Sequence, residues 1–257
     1  MDLNIAGRTA VVCASTSGLG EGVARALAAE GANVVVTGRR EQLAKSIAAE
    51  LPSAIGVGVD MMSEGGPERI VQAALDAFGS VDILVLNGPG PKPAVALDVT
   101  SEDISTAVAS VIRPQQRMVS LVLDGMRDRG WGRILSMSAT NVVEPLPALA
   151  LSNIGRPALA GYLKTLATQV APSGVTVNLL LAGGFRTARR DAVEATKAAR
   201  TGRPAAEIQA EEAAEVPMRR FGAVHEFAAV AAFLCSDLAS YTTGTAFRCD
   251  GGLVHSL

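Results

Sequence analysis

Apolar positions along the chain fall into two textures. One is a set of short, β-branched runs; the other is longer stretches with an apolar residue every three or four positions. TAVVCAS (9–15), NVVVTG (33–38), AIGVGVD (54–60), VDILVLNG (81–88), GRILSMS (132–138), GVTVNLLLAG (174–183) and TAFRCDGG (245–252) belong to the first and predict strands. GEGVARALAAEGA (20–32) belongs to the second: Val23, Ala24, Leu27 and Ala28 share a face, and Gly31 stops the helix. Helices are likewise predicted for EQLAKSIAAEL, PERIVQAALDAFG (67–79), a long region at 101–128, ALALSNIGRPALAGYLKTLA (148–167) and HEFAAVAAFLCSD (225–237). Residues 186–216, rich in Arg, Glu and Ala, read as two short helices. The strands are continuously apolar, as in a sheet covered on both faces. Strand and helix alternate, which predicts parallel order with right-handed crossovers. The expected fold class is α/β: one doubly wound, three-layer domain over residues 1–257 with a mostly parallel seven-stranded sheet.

Composition agrees with a packed domain. Of 257 residues, 49% are apolar and 19% charged, which excludes disordered and fibrous chains. The net charge of −2 argues against non-specific nucleic-acid binding. Bases are scattered, apart from a modest cluster at Arg186, Arg189 and Arg190, read as a solvated helix face with contact to an anionic substrate or a carrier protein as the alternative. No apolar run reaches the length of a membrane span. Cys13, Cys235 and Cys249 match no metal spacing, so no metal is expected. Reduced thiols and a start, MDLNIAGRTA, without a basic-then-apolar signal lead to the expectation of a cytoplasmic protein.

The chemistry concentrates where strands end. CASTSGLGEG (13–22) lies between the first strand and first helix, with Gly18 and Gly20 at the turn. Free N–H groups and the positive helix end make an anion site there, suited to a pyrophosphate. Strand two ends in Arg39-Arg40 with no acid beside it. A ribose 2′-hydroxyl favours an acid at this place and a 2′-phosphate favours arginine. The competing reading is a solvated pair at a helix start. Asp60, closing strand three, either accepts from an adenine amino group or caps a turn. Asn87-Gly88, after strand four, lets backbone approach a ligand or merely turns the chain.

Taken together these pieces resemble the short-chain dehydrogenase/reductase family, above all its members similar to 3-oxoacyl-carrier-protein reductases. The resemblance rests on the glycine turn, VDILVLNG, GRILSMSAT, GVTVNLLLAGGFRT and FLCSDLASYTTGTAFRCDGG, and covers nearly the whole chain. It implies a Rossmann-type fold, a nicotinamide cofactor, a small carbonyl or alcohol substrate and a homotetramer or dimer. By position it assigns Ala14, Ser17, Gly18, Leu19 and Gly20 to the pyrophosphate turn, Asp60 to the adenine, and Asn87 and Gly88 to the adjoining ribose. It places Gly183 and Thr187 beside the nicotinamide and a mobile lid at about 185–217. With Arg39, the cofactor reading is NADP(H) in preference to NAD(H).

The family's reaction uses a tyrosine, a lysine four residues on, a serine and an upstream asparagine. Aligned back from TLATQVAPSGVTVN, these positions hold Ser152, Arg156, Ala139 and Val111. None of the four residue types is kept. A serine hydroxyl is too weakly acidic to replace a tuned phenol unaided, and arginine stays charged at neutral pH. The candidate substitutes are Ser152 and Arg156 themselves, with Ser138 and Thr140 if a bulge turns either inward. Arg156 is also a candidate cofactor contact, and the plainer reading gives it a salt bridge to Glu144. Tyr162, about 15 Å further along the helix, is too far to act. Pro157 cannot donate to the Asn153 carbonyl, so the helix is expected to start there. Two functions remain open: an oxidoreductase with a rebuilt proton relay, or a dinucleotide-binding protein without turnover, such as a sensor or inactive partner subunit.

Overall fold

The computed structural model describes residues 2–256; Met1 and Leu257 of the expected domain lie outside them. The strands are β1 (Thr9–Val12), β2 (Asn33–Gly38), β3 (Ala54–Gly58), β4 (Ile83–Leu86), β5 (Gly132–Ala139), β6 (Val175–Ala182) and β7 (Ala246–Cys249). They form one sheet in the order β3-β2-β1-β4-β5-β6-β7, and every pairing is parallel. The helices are α1 (Gly18–Ala29), α2 (Glu41–Ala49), α3 (Gly66–Phe78), α4 (Ser101–Val111), α5 (Arg113–Asp128), α6 (Ala150–Val170), α7 (Ala188–Thr201), α8 (Ala205–Glu215) and α9 (Val224–Leu234).

The continuous apolar runs divide by strand periodicity. Ala10 and Val12 pack into one core with Leu27 of α1 and Phe227 of α9, whereas Val11 and Cys13 pack into another with Ile70, Met118 and Leu163 of α3, α5 and α6. Ile83 and Val85 of β4 join the first core, Leu84 and Leu86 the second. Both faces are therefore covered, which is what a fully parallel sheet requires. The strand order reverses between β1 and β4, and a crevice opens there at the carboxyl edge.

Three expectations about elements change. The helical region at 101–128 is two helices, because Pro114 in the first turn of α5 cannot continue the hydrogen bonds of α4. The chain enters α1 at Gly18, two residues early, since the turn glycine itself opens the helix. Most important, α6 starts at Ala150 and runs through Pro157. Its first turns are held from outside: both polar atoms of the Asn153 amide engage the backbone of Leu146, at 2.9 and 3.3 Å. Gly155 packs against Val111 of α4, where a β-carbon would stand 3.0 Å from Val111 Cγ2. These contacts offset the hydrogen bond that Pro157 removes.

Candidate active site

The carboxyl edge carries a cleft of about 810 Å³. At its centre, β1 turns sharply into α1. Ala14 adopts a left-handed conformation, φ +48°, that a β-carbon disfavours. Its N–H donates to Thr37 Oγ1 at 3.2 Å and its carbonyl accepts from Asn87 Nδ2 at 3.3 Å, which hold it there. Gly18 is also left-handed, φ +59°. A β-carbon on Gly20 would sit 2.5 Å from the Ala14 carbonyl oxygen, so the turn closes only on glycine. Ser17, the N-cap of α1, makes no side-chain cap, leaving first-turn N–H groups open to an anion.

Ser17 is occupied otherwise. Arg40 Nη2 donates to Ser17 Oγ at 3.1 Å and to the carbonyl and hydroxyl oxygens of Thr16, both at 3.0 Å. Arg40 thus braces the turn, a role the sequence reading did not give it. Both arginines lie beyond the end of β2 and are exposed on the cleft, so no local pattern separates their roles; Arg39 has no hydrogen-bond partner among the described residues. Asp60 lines the cleft while its Oδ1 accepts from the Met62 N–H at 2.9 Å, so it caps the turn after β3. Gly183 and Thr187 come from the loop after β6; Thr187 caps α7 by accepting from the Arg190 N–H at 3.3 Å. Every residue expected at the cofactor lines this one cleft.

The opposite end holds Ser138, Ser152 and Arg156. Arg156 Nε donates to Ser152 Oγ at 3.2 Å, and Nη1 reaches Ser138 Oγ at 3.5 Å. Asn141 Nδ2 donates to Ser152 Oγ at 2.9 Å and to Asn153 Oδ1 at 3.0 Å. Burial pushes the Arg156 guanidinium below its ordinary pKa, and the nearby charge of Arg189 adds to this. Ser138, Ala139 and Arg156 line the cleft. Ser152 is buried behind Arg156 and steadies it rather than facing the cleft. Thr140 is buried in a 3-10 turn and also stays off the cleft. No bulge turns either flanking hydroxyl, since β5 pairs residue for residue with β6 from Gly132 to Ala139. Val111 is a packing residue against Gly155. The Arg156–Glu144 salt bridge does not form: Glu144 faces His255 instead, at 3.7 Å. Among the described residues lining the cleft there is no tyrosine, histidine, lysine or cysteine.

The two helices predicted for the lid are α7 and α8. Arg190 ties them together, donating to Glu194 at 2.9 Å and Glu212 at 2.6 Å, with Lys197 also on Glu212 at 2.8 Å. Phe185 forms the apolar base, its ring edge-on to Phe227 at 5.3 Å. Met218 is 62% exposed and lies outside the cleft, because the chain has already turned away at Val216. Among the described residues no group of three metal-ligating side chains forms, and no helix is long and apolar enough to cross a membrane.

A parallel sheet wound on both sides, with a glycine turn and a cleft at its switch point, defines the nucleotide-cleft class of α/β proteins. A family model described as enoyl-(acyl carrier protein) reductase matches residues 13–254. Human dehydrogenase/reductase SDR family member 4 is 31% identical over 253 residues, covering 96% of this chain and 88% of the relative. The 3-oxoacyl-(acyl-carrier-protein) reductase of Aquifex aeolicus is 29% identical over 258 residues, covering 98% and 100%. The crystal structure of L-sorbose reductase from Gluconobacter frateurii, complexed with NADPH and L-sorbose, superposes with a TM-score of 0.94 at 29% identity, covering 100% of both chains. The chain belongs to the short-chain dehydrogenase/reductase family.

Proposed function

We propose that the protein is an oxidoreductase that prefers NADP(H) and acts on a small carbonyl or alcohol substrate through a non-standard proton relay. One observation carries the cofactor half: the β2 end presents a free, exposed Arg39 beside a braced turn, with no acid next to it. The residues fit a dinucleotide phosphate. The α1 N–H groups are uncapped, and the turn closes tightly enough that a β-carbon on Gly20 would collide with the Ala14 carbonyl. Arg39 then meets the 2′-phosphate as a charge-assisted, forked donor. A bound reduced nicotinamide supplies hydride, and the carbonyl oxygen that gains charge needs a proton. Ser138 Oγ is the hydroxyl on the cleft beside the Arg156 charge; it hands its proton to that oxygen and regains one from water. Without a tuned acid, turnover is slower by about 10²–10⁴-fold.

The second reading, dinucleotide binding without turnover, is favoured by the lack of any tyrosine, histidine, lysine or cysteine among the described cleft-lining residues. NADPH oxidation with a panel of 3-oxoacyl thioesters, ketones and quinones, run beside calorimetric NADPH titration, separates the two. Oxidation supports the first, binding with no oxidation across the panel supports the second, and no binding removes both. Arg39→Ala tests the preference: NADPH affinity falls by about tenfold or more while NADH affinity holds. Equal losses for both coenzymes would refute the 2′-phosphate contact.

A further inference from the structure

The two carboxylates on the cleft do nothing for its β5 end. Glu212 is taken up by Arg190 and Lys197. Asp60 closes β3, four strand spacings from β5, or roughly 19 Å. Arg156 therefore meets only hydroxyls, Ser152 at 3.2 Å and Ser138 at 3.5 Å, and forms no ion pair among the described residues. Arg189, the neighbouring cation on the lid helix α7, lines the same cleft and forms none either. A guanidinium keeps its charge even when burial disfavours it, and a partly buried charge without a counter-ion is unfavourable. Half-buried Arg156 and exposed Arg189, both on one walled cleft, describe half of an ion pair.

The cofactor does not supply the other half. In the proposed binding mode its phosphates lie at the glycine turn and at Arg39, on β1 and β2, whereas Arg156 stands over β5. The guanidinium is also fixed in direction. Nε and Nη1 face Ser152 and Ser138, and Nη2 lies against the loop after β4, where a β-carbon on Gly90 would stand 3.4 Å away. The terminal edge carrying Nη1 and Nη2 is the edge that grips a carboxylate or phosphate with two parallel bonds.

We infer that the substrate is a small carbonyl compound bearing an anionic group, a carboxylate or a phosphate, held by Arg156 and Arg189. This rests on the oxidoreductase reading for the carbonyl. Because Ser138 and Arg156 are neighbours, the anion stands within a few bonds of the reacting carbon, as in a short oxo acid.

The test is calorimetric titration of the full chain, with and without saturating NADPH, using acetoacetate, its uncharged methyl ester and inorganic phosphate. Acetoacetate is expected to bind about tenfold or more tighter than the ester, and Arg156→Met to erase that ratio. Arg189→Ala, at an exposed position on α7, lowers the ratio severalfold and serves if the first variant does not fold. Displacement of acetoacetate by millimolar phosphate assigns the group to phosphate; no displacement assigns it to carboxylate. Equal binding of acid and ester, or no binding of any probe, overturns the inference. So does an Arg156→Met variant that loses NADPH but keeps the acid-to-ester ratio, since the guanidinium then serves the cofactor. If NADPH fails to bind at all, the proposed function falls, and the cofactor-free titration still decides the anion site.

Discussion

Ala14 holds a backbone conformation that its own β-carbon resists, φ +48° at the end of β1. The strain is maintained by Thr37 Oγ1 on its N–H and Asn87 Nδ2 on its carbonyl. Left-handed backbone costs a non-glycine residue about 1–2 kcal/mol, and part of the relief is lost to the greater freedom of unfolded glycine. Ala14→Gly is therefore expected to stabilise the protein by about 0.5–1 kcal/mol, read as a raised midpoint in urea unfolding. A midpoint that falls would show that the methyl group packs rather than strains. Arg156 illustrates a different exchange. A lysine-like reach is kept, but the planar fork is tied to Ser152, itself fixed by buried Asn141.

At the scale of elements, α6 carries Ser152 and Arg156 and survives an internal proline. Asn153 clamps the first turns to Leu146, and Gly155 lets α4 approach closely. Pro157→Ala restores an N–H to the Asn153 carbonyl. Against the roughly 3 kcal/mol that proline costs inside a helix stands its smaller unfolded-state entropy, so a net gain of about 1–2 kcal/mol is expected. Chemical denaturation measures it; an unchanged or lower stability would mean the helix has already rearranged around the ring. This helix also marks where sequence reading stopped. Strand periodicity, the glycine turn and the order of elements were legible because they follow from local patterns. The start of α6 was not, because it depends on the Asn153 amide meeting a backbone turn at Leu146 that no local pattern announces. The missing Arg156–Glu144 pair has the same origin: the C-terminal segment brings His255 to Glu144. Whether Ser152 or Ser138 faces the cleft was likewise undecided until helix phase and strand register were fixed together.

For the molecule as a whole, the twin cores on either side of the sheet govern how it responds to base. Cys13 lies in one and Cys235 in the other. Burial pushes both thiols from the ordinary 9.0 up to about 12. The folded state thus holds these protons more tightly than the unfolded chain does. Stability is untouched below about pH 9 and falls as pH rises toward 12, by up to about 1.4 kcal/mol per pH unit for each thiol. Urea unfolding between pH 8 and 11 should show this decline, and Cys13→Ala and Cys235→Ala should each flatten it; an identical slope in both variants would place the alkaline sensitivity elsewhere.

The strand order also governs how such a molecule comes off the ribosome. β1 lies between β2 and β4, and the turn it feeds is complete once the first third of the chain has been made. Arg156 and Thr187 arrive much later, on α6 and at the start of α7. A nascent chain accordingly carries one wall of the cleft with no opposite wall. Small molecules that span the whole cleft therefore meet both of its walls only after α6 and the start of α7 have been made.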